Sequence, residues 1–260
     1  VVLTVNGNKI FVYDDWNLST GNRQMAGTTT IEFTGALDCL WGGTANTGSI
    51  KNPIIINKSG GTLTLRAYIN LNTGCILTYT AGTVDTVTNN NTLYIQGATT
   101  LDTSAITWNT LFIVGGAAAY NITINSLLTV DIIYLNYYSV NFIGTNVWTC
   151  NTFILIGNIS AGDFISLKAA STYTINTEFG VYSSTVYPFL IKSGTPASVA
   201  YLVFNGGSNQ KIINCDSTDI DSIQGTRVLN PSGTNTNTIN WGAVPVTGGA
   251  GAFFEELFSG

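Results

Sequence analysis

The chain has 260 residues, no histidine, and only nine Lys or Arg against fourteen Asp or Glu, for a formal net charge of -5. The nine bases are scattered with no two adjacent, which argues against nucleic acid as a partner, because phosphate binding needs clustered Lys and Arg. Without histidine the usual general base near neutral pH and the commonest metal ligand are gone, so neither enzyme activity nor a cofactor or metal is expected.

The chain opens on Val1 rather than Met, which reads as a processed or truncated start, and Val1 to Gly7 has no basic signal-peptide region. No apolar run approaches the ~18 residues a membrane helix requires, so no membrane span is expected. Residues 1–50 are irregular and read as an N-terminal cap with the first strands. Within the cap, Asp14-Asp15-Trp16 is a turn or, alternatively, a sugar contact in which the indole stacks and the acids hold hydroxyls.

Residues 51–241 alternate apolar and hydroxyl or amide side chains in short segments, such as Thr62-Leu63-Thr64-Leu65, Thr92-Leu93-Tyr94-Ile95 and Asn121-Ile122-Thr123-Ile124. A period of two puts one face inside and one face outside. Lys58-Ser59-Gly60-Gly61, Thr88-Asn89-Asn90-Asn91 and Asn205-Gly206-Gly207-Ser208 separate them as turns, since Gly and Asn accept positive φ. Repetition is weak. Thr62–Leu65 and Asn121–Ile124 match at an offset of 59, and Trp108 onward echoes Trp148 onward at 40. Both fit whole numbers of coils of roughly 20 residues. The expected fold is therefore all-β, a parallel β-helix whose inward rows are Ile, Val, Leu and Phe, with asparagines laddering at turns. Short strands at regular spacing also fit a β-sandwich or jelly roll.

Cys39, Cys75, Cys150 and Cys215 are far apart and lack a CxxC spacing, so they read as buried thiols, with a disulfide as the alternative. The internal acidic cluster is Asp216, Asp219 and Asp221. If that segment is a strand, Asp219 and Asp221 share a face and offer a carboxylate pair, an ion contact or a glycan contact. A solvated turn leaving the last coil is the plainer reading. Residues 242–260 join a glycine linker to an aromatic end, and Phe253, Phe254, Leu257 and Phe258 are expected to dock into a partner or a neighbouring copy. The alternative is a tail folded back onto its own solenoid. Residues 253–258 are also the one short helix candidate.

The order of these features resembles right-handed parallel β-helix proteins of phage virions, the fibre, decoration or tail-associated structural proteins. Thr29-Thr30-Ile31-Glu32-Phe33-Thr34-Gly35 is similar to their early "TITFTG" strand, and Asn235-Thr236-Asn237-Thr238-Ile239-Asn240-Trp241 is similar to a closing "NTGINW" pattern. The resemblance implies a right-handed solenoid and a structural or adhesion role on a virion or extracellular surface. Its partners would be other proteins of the same assembly, in multiple copies, with a surface glycan as a further contact. It carries over no catalytic residues. A carbohydrate-binding or carbohydrate-degrading β-helix is the competing expectation.

Overall fold

A computed structural model describes residues 3–6, 8–17, 24–25, 28–44, 49–114, 118–136, 139–157, 162–183, 186–205, 209–223, 235–236 and 238. These form an all-β parallel solenoid of about 8 turns with no helix. The chain passes back and forth between two long sheets, one of 14 strands and one of 11. Leu3–Asn6 pairs antiparallel with Lys9–Val12 at the N-terminal end, and the parallel ladder starts at Lys9–Val12 itself. A sandwich or jelly roll is built from antiparallel strands, so this parallel stacking decides between the two expected architectures.

The alternation seen in the sequence sorts side chains as expected. One inward row runs Ile31, Ile54, Leu77, Leu101 and Ile124. A second, in the other sheet, runs Leu71, Ile95, Ile113, Leu135, Leu155, Val181 and Ile212. All are buried in one continuous core. Burying each such side chain contributes about 1.5–3 kcal/mol, and the rows repeat that gain at every coil. At the C-terminal end the rows turn small and polar: Ile191 stacks on Ser217 and Leu202 on Ser222, both serines fully buried.

Two repeat offsets read from the sequence fail against the register. Thr62–Leu65 belongs to the second half of the strand Ile54–Leu65 and pairs with Thr83–Asp85. The ladder beneath Asn121–Ile124 descends through Thr99–Leu101 to Ile76–Thr78, on the first half of that strand. Trp108 aligns with Val130 and Cys150, whereas Trp148 aligns with Leu128. Coil length varies because corners absorb extra residues, as in the register shift between Cys150 and Thr152, so no single period survives in the sequence.

Asparagines do work at the corners. The amides of Asn52, Asn89, Asn91 and Asn146 donate to the carbonyls of Thr29, Leu65, Arg66 and Asn125, each one coil below. They satisfy backbone acceptors that the sheet leaves open where the chain turns. The four cysteines are buried, and none forms a disulfide with another. Burial pushes the Cys75 thiol up to about 12 and the Cys150 and Cys215 thiols higher still.

An ion pair ties the first two coils: Lys9 Nζ lies 2.8 Å from Glu32 Oε2, and Asn57 Nδ2 donates to Glu32 Oε1 at 2.9 Å. Burial alone would raise the Glu32 carboxyl, but the bonds from Lys9 and Asn57 and the Lys9 charge outweigh it and hold it below 4.5. A depressed carboxyl pKa gives stability that is present above the unfolded value and lost as pH falls through the folded one. Because Lys9 is 45% exposed, solvent screening limits the loss to under ~1 kcal/mol. Glu32→Gln is expected to flatten the dependence of thermal midpoint on pH below about 4.5, and an equally steep profile in the variant would contradict this role.

Candidate functional site

Four strands build the most developed outward surface: Thr107–Val114, Leu128–Asn136, Trp148–Ile156 and Thr172–Tyr182. Thr107, Thr129, Thr149 and Thr174 stand in one register row. Their side chains are exposed or half-buried, while the following residues Trp108, Val130, Cys150 and Ile175 point into the core. Two residues after each threonine comes Asn109, Asp131, Asn151 or Asn176, at a corner where the backbone register skips Asn109, Asp131 and Asn151.

At that corner the side chains take over the pairing. Asn151 Nδ2 donates to Asp131 Oδ1 at 2.7 Å, Asn176 Nδ2 donates to Asn151 Oδ1 at 3.1 Å, and Asn205 Nδ2 donates to Asn176 Oδ1. All donors point toward the N-terminal end, and the carboxylate of Asp131 is the terminal acceptor. Such a chain polarises along its length, and an ionised acceptor strengthens it. An asparagine amide has two N–H donors and two acceptor sites. The ladder spends one of each on Asn151 and Asn176.

The threonine row and the amide ladder border a groove of about 320 Å³. The turn at Thr86 and Val87 closes one end, fixed by a bond from Thr86 Oγ1 to the Thr107 carbonyl and by Asp85 Oδ1 accepting from the Val87 and Thr88 amides. The Thr88 side chain, together with the Thr88 and Val87 amides, holds the Asp85 carboxyl below its ordinary value against the effect of burial. Among the described residues Asp131 is the one charged side chain lining the groove. Hydroxyl and amide groups therefore repeat at the inter-strand spacing of about 4.8 Å. Chemically this is a row of neutral donors and acceptors suited to an extended, hydroxyl-rich, uncharged ligand.

Beyond the corner the same sheet carries a stack of rings, Tyr68, Tyr94, Phe112 and Tyr134, with centroids 5.8, 5.1 and 6.0 Å apart. Sugar stacking needs a free ring face. Here each inner ring lies between two neighbours tilted 36–39° to it, so the stack braces one coil against the next.

The residues singled out in the sequence do not converge. Asp15 Oδ1 accepts from the Leu40 amide at 2.8 Å, and Asp14 Oδ1 accepts from the Asp15 amide. Trp16 packs on Phe33 at 5.6 Å, and Phe33 on Trp41 at 4.8 Å. The cap turn thus uses these groups to bind the first coils together. In the acidic cluster Asp219 stands between two strands, Cys215–Thr218 and Ile220–Ile223, with φ at 55°. The alternation expected to put Asp219 and Asp221 on one face is broken there. Asp216 aligns with Leu190 in one sheet and Asp221 with Tyr201 in the other. Asp219 Oδ2 accepts from the Ala197 amide at 2.9 Å. Burial pushes the Asp221 carboxyl above its ordinary value, with a bond from the Ser222 amide opposing. Among the described residues no three of His, Cys, Asp and Glu group to hold a metal. Phe253, Phe254, Leu257, Phe258 and the 242–260 linker lie outside the described residues.

The groove was legible and was missed. Thr107-Trp108-Asn109, Thr129-Val130-Asp131, Thr149-Cys150-Asn151 and Thr174-Ile175-Asn176 repeat a Thr–apolar–Asn/Asp triplet once per coil. The changing interval between them hid it from a search for fixed periods. No protein-family model matches the chain, nor does any curated protein or solved structure.

Proposed function

We propose that this chain is a non-enzymatic structural or adhesion protein, displayed as a solenoid on a virion or cell surface, whose threonine and asparagine groove meets a neutral glycan. The observation that carries this reading is the four-coil register of Thr107, Thr129, Thr149 and Thr174 beside the amide ladder. Extended polysaccharides present hydroxyls at a repeat near the strand spacing, and neutral hydrogen bonds recognise them without ionic groups. The groove holds one carboxylate, Asp131, already engaged by Asn151, whereas glycosidases place two across the scissile bond. The virion setting rests on the resemblance to phage β-helix proteins, and anchorage rests on the aromatic sequence of residues 253–258.

The test is a glycan array with the full chain, followed by titration of the best binder. The double variant Thr129→Val with Thr149→Val keeps side-chain shape and removes two hydroxyls. It should weaken binding about thirtyfold, the sum of two ordinary hydrogen bonds of about 1 kcal/mol each, with an unchanged melting profile. Binding that survives in this variant but is lost in Asp216→Asn would move the contact to the acidic end. Shortening of the bound polysaccharide would overturn the non-enzymatic reading.

A further inference from the structure

The inward row of the strand Ile54–Leu65 contains one residue that does not belong in a hydrocarbon core. Ile54, Ile56 and Lys58 share the buried face, and Lys58 is only 2% exposed. A lone buried ammonium is costly unless polar groups surround it. Lys58 Nζ donates to the carbonyls of Leu37 and Thr34, in the corner of the coil below, the second at 3.4 Å. Its remaining described neighbour is Cys39 Sγ, at 3.5 Å, on a residue 3% exposed. The coil above closes the site: a Cβ on Gly82 would collide with the Lys58 stem. Amine and thiol are thus held together with their neighbours fixed on both sides.

The other three thiols provide an internal contrast. Burial raises all of them, and the charged groups that act on Cys150 and Cys215 are the carboxylates Asp131 and Asp216. At Cys39 burial is again the largest influence and the thiol is raised overall, with Asp15 and Asp14 adding to the rise, but here the Lys58 ammonium and its hydrogen bond act against it. A neighbouring cation favours the thiolate, which is the reactive form.

We infer that Lys58 and Cys39 are the site of a covalent N–O–S cross-link, formed with dioxygen, that staples the first coil to the second. A bridging oxygen spans more of the 3.5 Å gap than a direct sulfur–nitrogen bond would. Proton transfer from the Lys58 ammonium to the Cys39 thiolate first gives the neutral amine and the thiol, 3.5 Å apart. The thiol S–H and one amine N–H then break, and S–O and O–N bonds form around one atom of dioxygen. The second oxygen atom leaves as water with the two hydrogens. Sulfur and nitrogen each lose two electrons, and dioxygen takes all four. Dioxygen is small and apolar enough to enter a packed core that excludes charged oxidants. Among the described residues no cysteine pair forms a disulfide, so this link would be the covalent brace of the N-terminal coils.

The experiment is peptide and intact mass spectrometry of the full chain, purified in air without reductant and digested after denaturation. The expected product joins the Cys39 and Lys58 peptides and has gained one oxygen and lost two hydrogens. It disappears with dithiothreitol and in Cys39→Ala, while Cys75, Cys150 and Cys215 remain alkylatable. Dithiothreitol should also lower the melting temperature of the wild type by several degrees and leave that of Cys39→Ala unchanged. Cys39→Ala keeps Lys58 and its carbonyl bonds, so it separates loss of the link from loss of the fold. Complete alkylation of Cys39 once the oxygen-exposed protein is denatured without reductant, or an oxygen gain confined to Cys39 without loss of two hydrogens, would overturn the inference.

Discussion

Gly144→Ala is expected to be among the most damaging single substitutions in this protein, lowering stability by roughly 3 kcal/mol or more. Gly144 has φ at +107° and lies in register over Ile124 of the coil below. A Cβ there would meet the Ile124 backbone, 2.7 Å from its nitrogen and 2.9 Å from its carbonyl carbon, and would press on the carbonyl oxygen as well. Backbone locked into a parallel ladder cannot step aside, so strain and overlap add. Gly162 separates the two terms. Its φ is +105°, but a Cβ there would meet nothing within 4 Å. Gly162→Ala should therefore cost only the backbone term, about 1–3 kcal/mol. Thermal or denaturant unfolding of the pair checks this, and equal losses in both variants would show that the contact with Ile124 contributes nothing.

Trp148→Ala is expected to cost about 3–5 kcal/mol, near 10 °C in melting temperature for a chain of this size. Trp148 is fully buried and joins the aromatic part of the core. Its ring centroid lies 4.7 Å from Phe153, 4.8 Å from Tyr173 and 6.1 Å from Phe142. Phe153 lies on the same strand as Trp148, Phe142 on the preceding strand and Tyr173 one coil further on, so the cavity left by the substitution would open onto two adjacent coils. In a solenoid each repeat leans mainly on its neighbours, so the damage should be local. Hydrogen exchange should accelerate in residues 140–175 and stay near wild type around Ile54 and Leu77. Uniform acceleration along the whole chain would argue that the solenoid unfolds as one unit. The indole nitrogen of Trp148 has no hydrogen-bond partner, so Trp148→Phe gives up no polar contact and should be far milder.

Both predictions depend on what lies one coil away, and that is where reading the sequence stopped. The apolar alternation of Thr92-Leu93-Tyr94-Ile95 or Asn121-Ile122-Thr123-Ile124 identified inward residues correctly, since Leu93, Ile95, Ile122 and Ile124 are all buried. Asn89 and Asn91 were legible as corner residues because an amide can reach an open carbonyl wherever the chain turns. Lys58 was read as part of a turn signal, yet it is the most buried charged side chain described. Nothing local marks it: only Thr34, Leu37 and Cys39 of the previous coil supply its partners. The conditional pairing of Asp219 with Asp221 on one strand face failed for a similar reason. The positive φ of Asp219, compatible with Asp but not announced by it, ends one strand and starts another.

By itself the sequence determined that this is an all-β chain with little charge, its core made by period-two alternation and its turns by Gly and Asn. Those properties are set by each residue and its immediate neighbours, through side-chain direction and allowed φ. Tertiary structure alone decided the register, and with it which residues meet. The threonine row, the amide ladder ending on Asp131, the contact of Gly144 with Ile124 and the pairing of Lys58 with Cys39 all join residues about one coil apart. Because corners admit extra residues at no fixed place, coil length drifts, and one residue of drift exchanges the inner and outer faces. Stacking of the coils, which hides the apolar rows continuously, is the physical constraint that fixes that register.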